Sequence, residues 1–148
     1  MKIACIQPQI FPTKKECFAD IETILKKVLE ENDQCDIVCL PERYIPFIEE
    51  IPKNLQKERG NSYQFVQSLA KEYSVNFISG AIWEKRNNSK KPYITCYFFN
   101  RNGEEIGRQD KIHLYTYERK YFTSGRDLKL FRNKKFSFSI LICFDMAN

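Results

Sequence analysis

The sequence predicts an α/β fold built on a mixed β-sheet. Three observations carry that expectation. Ile37–Leu40 is a short run that is apolar without alternation, as in a strand covered on both faces. An earlier short apolar run, Lys2–Ile6, is separated from it by apolar residues at helical spacing. Strand, helix and strand therefore follow in the order of a parallel βαβ crossover. Farther along, the alternating run PYITCYFFN leads into Asn100–Gly103, whose Asn-Gly pair signals a tight hairpin turn and hence an antiparallel pair.

Taken in order, Lys2–Ile6 is closed as a strand by Gln7 and Pro8. Thr13–Glu16 has the spacing of a capping box, and Phe18, Ile21, Leu25, Val28 and Leu29 continue from it as one helical face, widened by Ile24. Pro41 ends the second strand. A second helix begins with Asn61 or Ser62 as its cap and presents Tyr63, Val66, Leu69, Ala70 and Tyr73. Val75–Trp83 is a third strand, and the hairpin returns towards Arg108. From Asp110 to Asp127 no period is sustained, so this stretch is a long, partly ordered loop of the kind that is functional or mobile. Phe136–Cys143 alternates at first (Phe136, Phe138, Ile140) and then becomes continuously apolar, which predicts a last buried strand with Cys143 at its tip. Two long helices cover only one face of a sheet. The other face must be covered by a partner chain or by further sequence.

A length of 148 residues suits one domain, here residues 1–148, and 43% hydrophobic against 29% charged residues excludes a disordered chain. The net charge of +5 is dispersed over Lys14-Lys15, Lys26-Lys27, Lys90-Lys91 and Lys134-Lys135, with acidic residues between. No nucleic-acid motif accompanies it, so no nucleic-acid partner is expected. No apolar run approaches a membrane span and the N-terminus lacks the features of a signal peptide, which points to the cytoplasm. Cys5, Cys39, Cys96 and Cys143 lie in strand-like runs, where free cysteine packs as a small hydrophobe. Cys35 and Cys39 have three residues between them and no second pair, and the chain has a single histidine, His113. Neither a metal nor a cofactor is expected.

In open α/β sheets, sites form beyond the C-terminal ends of the strands. Glu42 follows the second strand, Cys143 ends the last, and Lys111 opens the long loop. Singly each has a structural explanation: a cysteine that packs, a glutamate in a solvated turn, a lysine on the surface. The segments LPERY, GRQDKIHLY, YERKYFTSG and LICFDMAN, in that order, together with the opening KIACIQPQ, resemble the successive signatures of the carbon–nitrogen hydrolase (nitrilase) superfamily. The resemblance covers essentially the whole chain.

It implies an αββα sandwich with mixed sheets, of which this sequence would be the N-terminal part, incomplete after the nucleophile strand. It also implies a Glu-Lys-Cys set in which Glu42 is the general base, Lys111 the activating cation and Cys143 the nucleophile. Glu118 stands where many members carry a second acidic residue that positions the lysine. The backbone N–H of Phe144 would share the oxyanion with Lys111, and His113 is structural. A free thiol is mostly protonated at neutral pH, and an adjacent ammonium favours the thiolate.

The implied substrate is a small amide or nitrile, hydrolysed through a thioester without cofactor or metal, with a second copy or a complementary chain as partner. Tyr44, Phe47, Tyr115, Tyr117 and Tyr121 are candidates for an apolar pocket. Two positions depart from the family pattern: Ser139 where glycine is common, and Ser124 where proline is common. A non-catalytic remnant or interaction module, and an N-acyltransferase in which an amine replaces water, are the alternatives.

Overall fold

The computed structural model describes residues 1–31, 34–48, 50–133 and 136–148. Helix α1 (Lys14–Glu31) starts at the expected capping box. The Thr13 N–H donates to Glu16 Oε2 at 3.1 Å, and the Glu16 N–H donates to Thr13 Oγ1 at 3.2 Å. The crossover lays β2 (Ile37–Cys39) parallel to β1 (Ile3–Cys5), pairing Cys5 with Cys39. A short helix α2 (Ile51–Asn54) and strand β3 (Gln56–Lys57), neither evident from sequence, precede α3 (Asn61–Glu72). The cap of α3 is Gly60 rather than Asn61 or Ser62. Gln56 does the work of a cap here, because its Oε1 accepts the Ser62 N–H at 3.0 Å while its Nε2 donates to Ser62 Oγ at 2.8 Å.

Strand β4 (Asn76–Lys85) pairs in parallel with β2 along its first half and with β3 along its last residues. Strands β5 (Tyr93–Phe99) and β6 (Glu105–Asp110) complete an antiparallel meander through the expected turn. There Gly103 takes φ +76° and the Asn100 N–H donates to the Glu104 carbonyl at 3.0 Å. The sheet order is β1-β2-β4-β5-β6, with β3 beside the end of β4.

Val38, Phe77, Ile82, Tyr97 and Phe99 face α1 and α3, where Ile21, Leu25, Val66, Leu69 and Ala70 complete a core from which water is excluded. Burying each such side chain contributes roughly 1.5–3 kcal/mol. As expected, the two long helices cover one face. On the other face Ala81, Ile94, Cys96 and Phe98 meet Leu114, Phe122, Phe131, Ile140 and Ile142. That cover comes from the long loop, from a separate antiparallel pair of β7 (Phe131–Asn133) and β8 (Phe136–Phe138), and from the segment after β8. At the β1 end this face is open, with Ile3 and Cys5 exposed.

The last strand differs from expectation. The β7–β8 ladder ends at Phe138, and residues 139–142 carry no strand pairing, so Cys143 is not a strand tip. Ile140 and Ile142 are buried on the sheet while Leu141 between them is half exposed. The apolar alternation therefore reports burial against the sheet and not membership of a ladder. Cys143 instead opens a 3-10 helix, Cys143–Ala147. The loop from Asp110 to Asp127 contains one short helix, α4 (Glu118–Tyr121). Hydrogen bonds from Thr123 N–H to the Pro92 carbonyl and from Gln109 Nε2 to the Asp127 carbonyl hold the rest.

Candidate active site

Glu42 is delivered by an irregularity in β4. The β4–β5 register shifts between Ile78 and Ala81, and the Ser79 hydroxyl takes over the ladder by accepting the Tyr97 N–H at 2.9 Å. At Gly80, φ is +66°, and a Cβ there would lie 2.2 Å from the Pro41 carbonyl oxygen and 2.9 Å from the Tyr44 ring. Only glycine lets the turn carrying Glu42 lie this close to the sheet.

Lys111 follows β6, where its N–H donates to the Ile94 carbonyl at 2.8 Å. Its carbonyl accepts the Gly125 N–H at 2.8 Å, and a Cβ on Gly125 would stand 2.5 Å from the Asp110 carbonyl oxygen. The lysine side chain is 1% exposed. Its Nζ donates to Glu118 Oε1 at 2.9 Å and to Glu42 Oε1 at 3.1 Å. Burial disfavours the ammonium, but the hydrogen bonds it donates to Glu118 and Glu42, with their charge, outweigh burial and hold the Lys111 pKa above 10.5. Glu118 is itself fixed, since its other oxygen accepts the Tyr115 N–H at 2.7 Å.

Cys143 is exposed and adopts φ +48°, a left-handed backbone unusual for a residue with a Cβ. Its side chain and that of Glu42 line one cavity. Burial, then the hydrogen bond and charge of Glu42, push the thiol above its usual value, and the opposing pull of Lys111 is smaller. The ammonium thus has the sign expected from sequence, but it is outweighed by burial and Glu42.

One residue the sequence reading did not single out holds the turn. Asp145, whose side chain is 2% exposed, accepts the Ile142 N–H at 3.1 Å on Oδ2. Its Oδ1 accepts the N–H groups of Ile112 at 3.2 Å and His113 at 2.7 Å. The turn that carries Cys143 is thereby tied to the residues just after Lys111. Isoleucine at position 142 offers no polar side chain, so the Ile-Cys-Phe-Asp run lacks the Ser or Thr by which a capping box is recognised in sequence. His113, with Nδ1 3.1 Å from Asp145 Oδ1, belongs to this brace, consistent with a structural role. A second polar group, Arg86 with Glu84, Thr95 and Asp110, lies just before Lys111 in the fold and carried no motif.

Beside Cys143 is a cavity of about 270 Å³ lined by Leu40, Glu42, Ile78, Ala81, Ile142 and Cys143, among others. Of the five aromatics considered, Tyr44 is core, while Phe47, Tyr115, Tyr117 and Tyr121 are exposed. Tyr115 meets Phe144 edge-on at 5.3 Å. Among the described residues no group of three or more His, Cys, Asp or Glu side chains is placed to hold a metal, and no helix is long and apolar enough to cross a membrane.

Over residues 2–148 the chain matches the model of a family described as carbon-nitrogen hydrolase. It is 28% identical to a probable nitrilase of Schizosaccharomyces pombe over 98% of this chain and 55% of that protein. It is 25% identical to an omega-amidase of Saccharomyces cerevisiae over 99% of this chain and 56% of that one. The crystal structure of Saccharomyces cerevisiae Nit3, a member of branch 10 of the nitrilase superfamily, superposes with a TM-score of 0.88 at 26% identity, covering 100% of this chain and 57% of that one. The chain thus spans about half the length of the relatives it matches. With the family model running along nearly its whole length and the fold of Nit3 reproduced, the chain belongs to the carbon-nitrogen hydrolase family.

Proposed function

We propose that this chain carries the catalytic side of a carbon–nitrogen hydrolase acting on small amides, with Cys143 as nucleophile, Glu42 as general base and acid, and Lys111 and Glu118 as their electrostatic frame. The observation that carries this is a fully buried ammonium held between two carboxylates, one of which lines the same cavity as an exposed thiol. Glu42 takes the thiol proton as the sulfur attacks the amide carbon. The oxyanion that forms is met by Lys111 and by the backbone N–H of Phe144. Collapse expels the nitrogen, which leaves as amine or ammonia with the proton held by Glu42, and an acyl-thioester remains. Water, deprotonated by Glu42, then releases the carboxylic acid and restores the thiol. Glu118 accepts no proton in this scheme. It keeps Lys111 charged and aimed.

The cavity is open on one side, which leaves room for a second copy or a complementary chain as the other wall of the pocket. The test is to incubate the chain with a panel of small amides and follow Cys143 by peptide mass spectrometry, together with ammonia release. An acyl adduct confined to Cys143 and lost in Cys143→Ala is expected. Absence of any adduct and of any ammonia, alone or with a complementing second half from a relative, would count for the remnant instead.

A further inference from the structure

We propose that Arg86 is a positioning residue for Lys111: it clamps the Asp110 carboxylate and so fixes the direction in which the next residue leaves the sheet. This rests on the function proposed above and adds to it a residue that touches neither substrate nor thiol. Three strand ends meet at Arg86. Glu84 lies near the end of β4, Thr95 near the start of β5 and Asp110 at the end of β6, with Thr95 paired to Ile82 on one side and to Asp110 on the other. Arg86 follows β4 and its side chain is buried. Its guanidinium meets both oxygens of Asp110 as a fork, Nη1 donating to Oδ2 at 2.9 Å and Nη2 to Oδ1 at 2.6 Å. Such a two-point contact constrains a carboxylate in direction as well as distance. The Thr95 hydroxyl bridges the fork, accepting from Nη2 and donating to Asp110 Oδ1.

The clamp sits where the ladder stops. Strand β6 ends at Asp110, and Lys111 keeps one last strand bond, from its N–H to the Ile94 carbonyl. Successive side chains of a pleated strand point to opposite faces. Asp110, the partner of Thr95, lies with Arg86 on one face, while Lys111 turns the other way to Glu118 and Glu42. Holding the Asp110 side chain on its face therefore sets the root of the lysine on the other. That root needs setting, because the ammonium must meet two carboxylates that lie 7 and 69 residues away in the chain. A misplacement of about 1 Å in a reacting constellation can cost about 10²-fold in rate. The clamp is itself anchored: Glu84, with no exposed surface, accepts Nε at 2.9 Å and Nη2 at 2.8 Å on one oxygen, and the Tyr93 ring lies against Cζ.

Arg86→Lys and Thr95→Val probe this without changing the charge of any group. Lysine cannot form the fork and valine removes its bridge, so each acts on the geometry of Asp110. The readout is the pH dependence of Cys143 alkylation by iodoacetamide, resolved by peptide mass spectrometry, with fully buried Cys17 staying unmodified as the check on folding. The charges that bear on Cys143 are Glu42 after β2, Lys111 after β6 and Glu118 on α4, with Asp145 and His113 in the brace of its turn. Of the first three only Lys111 favours the thiolate, so an ammonium that moves away shifts the alkylation midpoint to higher pH. Lys111→Met is expected to raise the midpoint by about one pH unit. Arg86→Lys and Thr95→Val should each raise it by part of that, and neither should add to the shift in a chain that already carries Lys111→Met. A residue that only stabilises the fold would lower the urea midpoint and leave the alkylation midpoint in place. An unmoved alkylation midpoint in the folded variants, or shifts that add in full to that of Lys111→Met, would overturn the assignment. Thr95→Val, the milder change, carries the test where Arg86→Lys does not fold. Failure of the underlying site is seen separately, as an alkylation midpoint that Lys111→Met itself leaves unmoved.

Discussion

Two buried cations, each between carboxylates, stand a short distance apart along the chain and behave differently. Arg86 lies on Glu84 and Asp110. Its Nε donates to Glu84 Oε1 at 2.9 Å, Nη1 to Asp110 Oδ2 at 2.9 Å and Nη2 to Asp110 Oδ1 at 2.6 Å. The Thr95 hydroxyl joins Nη2 at 2.7 Å and Asp110 at 2.8 Å, and the Tyr93 ring lies 4.1 Å from Cζ. Glu84, with no exposed surface, also accepts the Tyr97 hydroxyl on both oxygens. Lys111 touches Glu118 and Glu42, but Glu42 keeps 28% of its side chain exposed and faces a cavity with a thiol on it. The comparison teaches that a buried ion cluster is structural when its donors and acceptors are consumed by one another. It is open to chemistry when one carboxylate keeps a free direction onto a cavity that also holds a thiol. The first cluster supports the second, because Asp110 is the residue before Lys111.

The largest expected effect is on the closed cluster. Arg86→Met strips the partner from two carboxylates and should cost about 3–5 kcal/mol in urea unfolding. Replacing Glu84 by Gln in the same chain should recover part of that loss, and an additive further loss would show that the cluster is not coupled. Next comes the open cluster. Lys111→Met should slow formation of the Cys143 acyl adduct about 10²–10³-fold, the scale for losing an oxyanion donor. A fall of less than tenfold would make Lys111 as structural as Arg86.

The smallest effect is in the pH dependence of stability, where the two clusters should fail at opposite ends. Burial raises the Asp110 carboxyl, but the hydrogen bonds and charge of Arg86 outweigh it and hold its pKa below 3.8. The Asp110 contribution is therefore present above about pH 3.8 and lost as pH falls through the lower folded value. Lys111 has a folded pKa above 10.5, so its contribution is full below that pH and lost as pH rises through the folded value. Urea midpoints across pH should accordingly lose part of their acid limb in Asp110→Asn and part of their alkaline limb in Lys111→Met. The same limb flattened by both substitutions would show that the comparison is drawn wrongly.

Much of this was legible in the chain. The capping box at Thr13, the helical faces from Phe18 and Tyr63, the apolar Ile37–Leu40 run and the Asn-Gly turn depend on neighbours within a few residues, and they appear in the structure as expected. The strands Gln56–Lys57 and Phe131–Asn133 were not legible, because two or three residues carry too little period to register. The strand expected to run to Cys143 was mistaken for a different reason. Alternation records which side chains are buried, and Ile140 and Ile142 are buried without a ladder beside them.

By itself, the sequence determined the order of helices and strands and the positions at which a thiol, two carboxylates and an ammonium occur. These are properties of local spacing and residue type. The tertiary structure decided how Cys143 is held, with the carboxylate of Asp145 bonded to Ile112 across 33 residues and a left-handed backbone at Cys143 itself. It also decided the direction in which the thiol pKa moves, since burial and Glu42 together outweigh Lys111. A pKa is a balance of desolvation against charges brought from distant parts of the chain, and that balance exists only once the chain has folded around it.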